Sequence, residues 1–456
     1  MYKLSGNLKV FSIILMVIGL VGLTYGFLNV PKTVDDVKEI LAAQNSHHEG
    51  EGASTENEAV HKSEFVDQAR GEEGYSATAM EQHESEQNEA LHESHYEHVL
   101  HQLQARPWSA TMVSAFFFFM IALGALVFYA IQYASKAGWS PVLYRVMEGI
   151  TSYLLPGSII VFLIVLLAGI HFYPWQNEDL VSGDKILEGK SGYLNFTFFV
   201  IRAVIFLTGW NLYRYFSRKY SLKESASDLK PYRKNYKMSA VFLVFFAITE
   251  LLMSWDWFMS MTPHWYSTLF AWYIFASLFV SAITTIAFVT IYLKSKGYLG
   301  FVNDSHLHDL AKYMFAFSIF WTYLWFGQFM LIWYANMPEE VVYFVMRIQE
   351  YNLLFFGMLI LNFVAPILIL MNSDYKRVPW FIVLAGIAIL VGHYIDVFLL
   401  VMPSTVGHNW SFGIPEIAGI CFFLGLFIYI VGTGLSKTGL RPEGNPFIKE
   451  SEQYHY

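Results

Sequence analysis

Long apolar runs separated by short polar connections make up most of this chain. Ten windows of 18 or more mostly apolar residues fall at approximately 8–28, 111–133, 150–173, 195–215, 238–260, 269–293, 309–334, 351–371, 379–402 and 413–435. Each is long enough to cross a bilayer as a helix. The one long polar stretch is residues 30–106, between the first and second runs. Its part 45–90 is rich in Glu, Gln, Ser and Gly with few bulky apolar residues, a composition that cannot bury a core. From Glu84 to Gln104 the pattern turns helical, and His92, His95, His98 and His101 recur at every third position. Neighbours at that spacing meet on a helix surface, where imidazoles suit Zn²⁺ or Cu²⁺. A hydrated, acidic, His-rich segment leading into the second run explains them better, and no metal site is expected.

Composition agrees with the pattern. Of 456 residues 55% are hydrophobic and only 14% charged, against about 25% charged in a soluble chain. The net charge of −8 describes the polar stretch more than the membrane body, because 17 of the 37 acidic residues lie in 30–106. A single cysteine, Cys421, excludes an intrachain disulfide framework and a Cys-ligated cluster. Basic residues set the expected topology. Lys3 and Lys9, Lys136 and Arg145, the block from Arg214 to Lys237, Lys294 to Lys312, Lys376 and Arg377, and Lys437 to Lys449 all fall on one set of connections. That set holds 20 of the 29 Lys and Arg residues. The positive-inside rule then places both termini in the cytoplasm and residues 30–106 on the other side. The first run also reads as a signal peptide, with Lys3 and Lys9 as its basic start, but Gly26-Phe-Leu-Asn29 offers no small-x-small cleavage site. A retained anchor is the expectation.

Two intramembrane aspartates stand in matching surroundings. Asp256 and Asp396 are each followed by Phe at +2 (Phe258, Phe398) and Pro at +7 (Pro263, Pro403). Asn195-Phe-Thr-Phe-Phe199 and Asn352-Leu-Leu-Phe-Phe356 match in the same way at the starts of two other runs. With ten alternating spans these matches pair helix 4 with 8 and helix 5 with 9. The predicted fold is therefore an all-α polytopic membrane protein with two parallel-repeat four-helix bundles, helices 2–5 and 6–9, flanked by helices 1 and 10. The expected divisions are an anchor at 1–29, the polar loop at 30–106, bundles at 107–265 and 266–405, and a last helix with its tail at 406–456.

A carboxylate inside a bilayer costs roughly 2.5–3.5 kcal/mol on insertion scales, so its presence calls for a use. Glu250, Asp256, His393 and Asp396 are the candidate proton-handling residues, expected to face bundle interiors. Glu250 lies 12 residues into its run, about 18 Å along the helix axis, near mid-depth. His393 and Asp396 are three apart and share a helix face. Arg202 needs an anion, and Asp256 is the natural one; the pair is either a packing device or functional. Gln328 and His171 complete the polar candidates for an ion pair or a ligand pocket, although an ordinary interfacial aromatic belt explains His171. Glu416, next to Pro415 at a helix start, is expected to be solvated. The helices show no Gly- or Pro-broken centres, with Pro156 and Pro366 near helix ends.

Three stretches carry a resemblance. They are Tyr193-Leu-Asn-Phe-Thr-Phe-Phe-Val-Ile-Arg202, Asp256-Trp-Phe-Met-Ser-Met-Thr-Pro-His-Trp-Tyr-Ser-Thr268, and Gln328-Phe-Met-Leu-Ile-Trp-Tyr-Ala-Asn-Met-Pro-Glu-Glu340. Over residues 105–436 the chain resembles the NrfD/PsrC family of quinone-interacting membrane subunits, and within it the ActF-like second subunit of bacterial alternative complex III. The resemblance implies a subunit of a quinol:cytochrome c, or oxidase-linked, oxidoreductase in the bacterial inner membrane. Electrons would pass through haems and iron–sulfur clusters of partner subunits. It implies a sister NrfD-like subunit, an iron–sulfur subunit and c-type cytochrome subunits as partners, with a terminal oxidase as a further one. No group is expected to be bound covalently; a quinol or a lipid is the ligand such a chain would take, and no nucleic acid is expected. The competing readings are a secondary transporter with duplicated bundles and a purely structural subunit.

Overall fold

The computed structural model describes the backbone of residues 2–48, 77–225 and 227–455, and the side chains of 2–42, 93–225 and 227–455. Most of the low-complexity part 45–90, and the side chain of His92, lie outside the described residues. Among the described residues the chain is helical throughout, with ten helices long and apolar enough to cross a membrane. They are span 1 Gly6–Leu28, span 2 Glu93–Ala134, span 3 Pro141–Leu167, span 4 Phe196–Ser221 and span 5 Lys230–Met261. Span 6 Phe270–Ser295, span 7 Asp304–Ala335, span 8 Asn352–Leu370, span 9 Pro379–Thr405 and span 10 Ile414–Ser436 follow. The chain divides into two compact units, Leu28–Ala105 and the remainder, so the bundles expected at 107–265 and 266–405 fall within one unit.

Three features depart from a plain reading of the apolar runs. Span 2 is the C-terminal part of a longer helix, Ala77–Ala134, that contains Pro107. Its polar start is rich in Glu, Gln and His, and straight-chain Glu and Gln are good helix formers. A helix Pro338–Gln349 connects spans 7 and 8, with Pro338 at its first position and Glu339 and Glu340 in its first turn, both ordinary start signals. Span 8 is interrupted by a π-helical turn at Ile360–Val364. Pro366 has no N–H to bond the Asn362 carbonyl, which loosens the turn before it. The expected absence of broken helix centres is corrected at this point.

The repeated motifs share only part of their local geometry. Asn195 and Asn352 each donate to the carbonyl four residues earlier, Ser191 at 3.2 Å and Ile348 at 3.1 Å, and Asn195 in addition caps span 4 by accepting the Phe198 N–H at 2.9 Å. The helix carrying Asp256 ends at Trp257, while the helix carrying Asp396 runs on through Pro403 to Thr405.

Close approach of backbones draws the helices together. A Cβ added at Gly19 would stand 2.3 Å from the Phe422 nitrogen, so span 1 meets span 10 through its small residues. Gly124 brings span 2 equally close to Leu278 of span 6. Spans 4 and 5 form an antiparallel hairpin with polar rungs along its length. Ser217 donates to Asn235 (2.6 Å), Tyr213 pairs with Ser239 (2.7 Å), Trp210 donates to Thr249 (2.9 Å), and Arg202 meets Asp256 at the far end.

The C-terminal segment is fastened to the end of the helices where the long basic block lies. Asn303 donates to the Tyr454 carbonyl, Tyr454 to Asp309, and Ser451 to the Trp139 carbonyl. Glu224, between spans 4 and 5, accepts from the Tyr133 hydroxyl (2.9 Å) and from Asn445 (3.0 Å). Burial pushes its carboxyl from 4.5 up to about 7. Between those values the folded chain holds a proton that the unfolded chain has lost, so stability falls as pH rises through the window. The detergent-solubilised chain should therefore melt lower at about pH 8 than at about pH 5. Glu224→Gln, which mimics the protonated acid, should remove roughly 2 kcal/mol of that difference. Thermal midpoints of both proteins check this, and identical pH dependence would rule it out.

Candidate functional site

Span 9 places His393 and Asp396 one turn apart on a buried face, and two other spans supply their partners. Asp396 is fully buried. Its Oδ1 accepts the Tyr273 hydroxyl of span 6. Its Oδ2 accepts the Ser277 hydroxyl at 2.9 Å and the Trp321 indole N–H of span 7 at 3.0 Å. His393 Nδ1 lies 3.3 Å from the same oxygen and 2.9 Å from Ser277 Oγ. The Trp321 ring meets the imidazole edge to face, with centroids 5.2 Å apart. The other imidazole nitrogen, Nε2, is buried without a partner, as are the hydroxyls of Ser281 and Ser318 and the amide of Asn362. Ser281 and Ser318 each lie one turn along their helix from Ser277 and Trp321. Asn362 sits against Gly392, beside His393, on the π turn of span 8.

Tyr273 also lines a small cleft of about 20 Å³ with Gln328, Tyr343 and Arg347. One phenol thus joins the Asp396 cluster to a second polar group. A proton reaching Tyr273 from the cleft has a hydrogen-bonded path through Asp396 and Ser277 to His393. Acid–base exchange along hydroxyl, carboxylate and imidazole is what the arrangement can perform.

Asp256 is built differently. The Arg202 guanidinium grips it with both ends of its fork, Nε to Oδ2 at 2.6 Å and Nη2 to Oδ1 at 3.0 Å. Arg202 Nη1 donates to the Tyr193 carbonyl at 3.2 Å, and the guanidinium lies 4.0 Å over the Tyr193 ring. Such bidentate, charge-assisted pairs are strong and directional. Glu250 stands apart from both clusters. It is buried, accepts from Ser254 at 3.1 Å, and lines a cavity of about 190 Å³ whose other walls, including Val127, Phe246, Trp272 and Phe275, are apolar.

The remaining polar candidates divide. Gln328 joins the Asp396 side through the cleft, while His171 lies half-buried on the short helix Gly169–Phe172. Glu416 is not solvated. It is 1% exposed, forms a fork with Arg106 (2.8 and 3.1 Å) and accepts the Gly413 N–H at 2.8 Å. Its partner is 310 residues away in sequence, which is why local reading misses it. Tyr273, Ser277, Trp321 and Arg347 were also beyond sequence reading, since hydroxyls and aromatic rings recur throughout these spans. Among the described residues no group of three His, Cys, Asp or Glu is placed to hold a metal ion. No family model matches the chain, and no curated protein is similar to it.

The Arg202–Asp256 geometry makes a direct prediction. Arg202→Leu strands a buried carboxylate, which costs about 3–5 kcal/mol in such settings. Arg202→Lys keeps the charge and one hydrogen bond but loses the fork. Abundance in the membrane and thermal midpoint should fall in the order wild type, Lys, Leu. Equal values for the two variants would contradict a pairing that depends on the fork.

Proposed function

We propose that this chain is a membrane subunit of a respiratory quinol:cytochrome c, or oxidase-linked, oxidoreductase. Within it the chain supplies a helical scaffold and handles protons, while electrons pass through haems and iron–sulfur clusters of other subunits. The observation that carries this reading is the Asp396–His393 cluster, an acid–base pair closed off from lipid and linked by Tyr273 to a cleft. Oxidation of a quinol releases protons as well as electrons, and a buried carboxylate with an imidazole beside it is suited to receive them. The resemblance of the stretches around Arg202, Asp256 and Gln328 to the NrfD/PsrC family adds the partners. These are a sister NrfD-like subunit, an iron–sulfur subunit and c-type cytochromes, with a terminal oxidase beyond them. The bacterial inner membrane follows on this reading from the same resemblance, and the cytoplasmic placement of both termini from the Lys and Arg asymmetry.

One observation favours a second reading. The π turn in span 8, with the Asn362 amide buried and unpartnered, is the kind of interrupted helix on which transporters build substrate sites. Co-purification with haem-containing subunits separates the two readings.

Asp396→Asn keeps the size of the side chain and its hydrogen bonding while removing the titrating group. In the assembled complex it should lower quinol oxidation and the coupled proton release by roughly a hundredfold, with haem content unchanged. Asp256→Asn should act mainly on assembly, because its carboxylate is already committed to Arg202. Wild-type rate and proton yield in an assembled Asp396→Asn complex would reduce the chain to a scaffold.

A further inference from the structure

Glu250 is a buried carboxyl that receives little from the rest of the protein. It is 5% exposed, and its one hydrogen-bond partner among the described residues is Ser254 of its own helix, whose hydroxyl lies 3.1 Å from Oε1. Among the described residues no Lys, Arg or His is within ion-pairing distance of it. The other two intramembrane carboxylates differ on this point. Asp256 is gripped by the Arg202 fork, and Asp396 takes donors from Tyr273, Ser277 and Trp321. A buried carboxyl without a counter-charge either stays protonated or takes a cation from outside the chain.

The surroundings say what kind of cation fits. Glu250 lines a cavity of about 190 Å³ walled by spans 2, 5 and 6, and it is the one ionisable residue on that wall. Phe246, Trp272 and Phe275 supply aromatic rings, with Phe275 centred 6.3 Å from both Phe246 and Trp272. A dry apolar cavity of about 150 Å³ is large enough to hold benzene, so this one has room for a ring with a short substituent. A metal cation is a poor match, since hard cations call for about six oxygen ligands and the wall offers a single carboxyl. An ammonium group on an apolar body matches both halves of the cavity, its charge meeting the carboxylate and its body and charge meeting aromatic rings. Ala247 and Trp272 are wall residues that are also exposed on the outside of the helices, so the cavity is reached sideways, from the lipid phase. We propose that the cavity at Glu250 binds a small aromatic ammonium ion, with the Glu250 carboxylate as its counter-charge. The site does not depend on quinol chemistry, so it stands or falls separately from the respiratory reading.

The test uses the full chain in mild detergent with para-fluorobenzylamine, a cation at neutral pH, and reads binding by ligand-observed fluorine NMR. Wild type should bind the amine saturably, and at least roughly tenfold more tightly than its neutral counterpart para-fluorobenzyl alcohol. That comparison needs no variant. Glu250→Gln keeps the size of the side chain and removes its charge, so it should weaken the amine by a similar factor and leave the alcohol unchanged. Ala247→Phe, which fills the mouth of the cavity and leaves Glu250 in place, should lose both ligands, and thermal midpoints close to wild type exclude a folding defect in either variant. Equal affinity of wild type for amine and alcohol, or of wild type and Glu250→Gln for the amine, would overturn the proposal. Equal uptake of the amine by all three proteins would assign the signal to the detergent micelle and overturn it as well.

Discussion

Inside a bilayer a polar side chain has no water to fall back on, so each one has to find its hydrogen bonds within the protein or lose several kcal/mol. That demand shapes the helix packing here. Spans 4 and 5 are held in register by rungs whose polar ends all face the partner helix, from Ser217–Asn235 to Arg202–Asp256. Spans 6, 7 and 9 converge because a single carboxylate, Asp396, takes donors from Tyr273, Ser277 and Trp321. Apolar contact alone would not fix this arrangement, since lipid tails are as apolar as Leu and reward no particular neighbour. Polar rungs and close glycine contacts such as Gly19 against Phe422 select one set of neighbours out of many.

How much of this was legible in the sequence follows from the range of each interaction. The spans were legible because an apolar run of bilayer length is a local property, and all ten runs correspond to helices of that kind. Burial of Glu250, Asp256, His393 and Asp396 followed from the cost of exposing them to lipid, and each is 5% exposed or less. The Arg202–Asp256 pair was readable because adjacent antiparallel helices bring residues of known depth together. The partners of Asp396 were not, because they come from helices whose order around the bundle no local pattern encodes. Arg106–Glu416 failed for the same reason. The continuation of span 2 back to Ala77 and the helix Pro338–Gln349 went unseen because apolar windows do not register polar or amphipathic helices, although the Pro and Glu start signals of the latter were present.

The two aspartates, alike in sequence, end in opposite chemical situations. Asp256 faces a permanent cation held by its own hydrogen bonds and by the Tyr193 ring, so every change in its state works against a fixed charge. Among the described residues Asp396 takes its hydrogen bonds from neutral donors, a phenol, an alcohol and an indole, with an imidazole beside it and no permanent cation in contact. The first arrangement suits a fastener and the second suits traffic. A motif match such as Asp-x-Phe with Pro at +7 therefore says where a carboxylate sits along its helix, while its neighbours on other helices decide what it does.

The unfilled valences sharpen that distinction. His393 Nε2, Ser281, Ser318 and Asn362 are unpartnered polar groups on the four helices that meet around Asp396, and each such group is uncommon in a packed interior. The irregular turn, the unpaired amide and the carboxylate cluster then read as one feature. Pro366 loosens the backbone next to the place where the polar atoms gather, so the helix is weakest where the interior is least apolar.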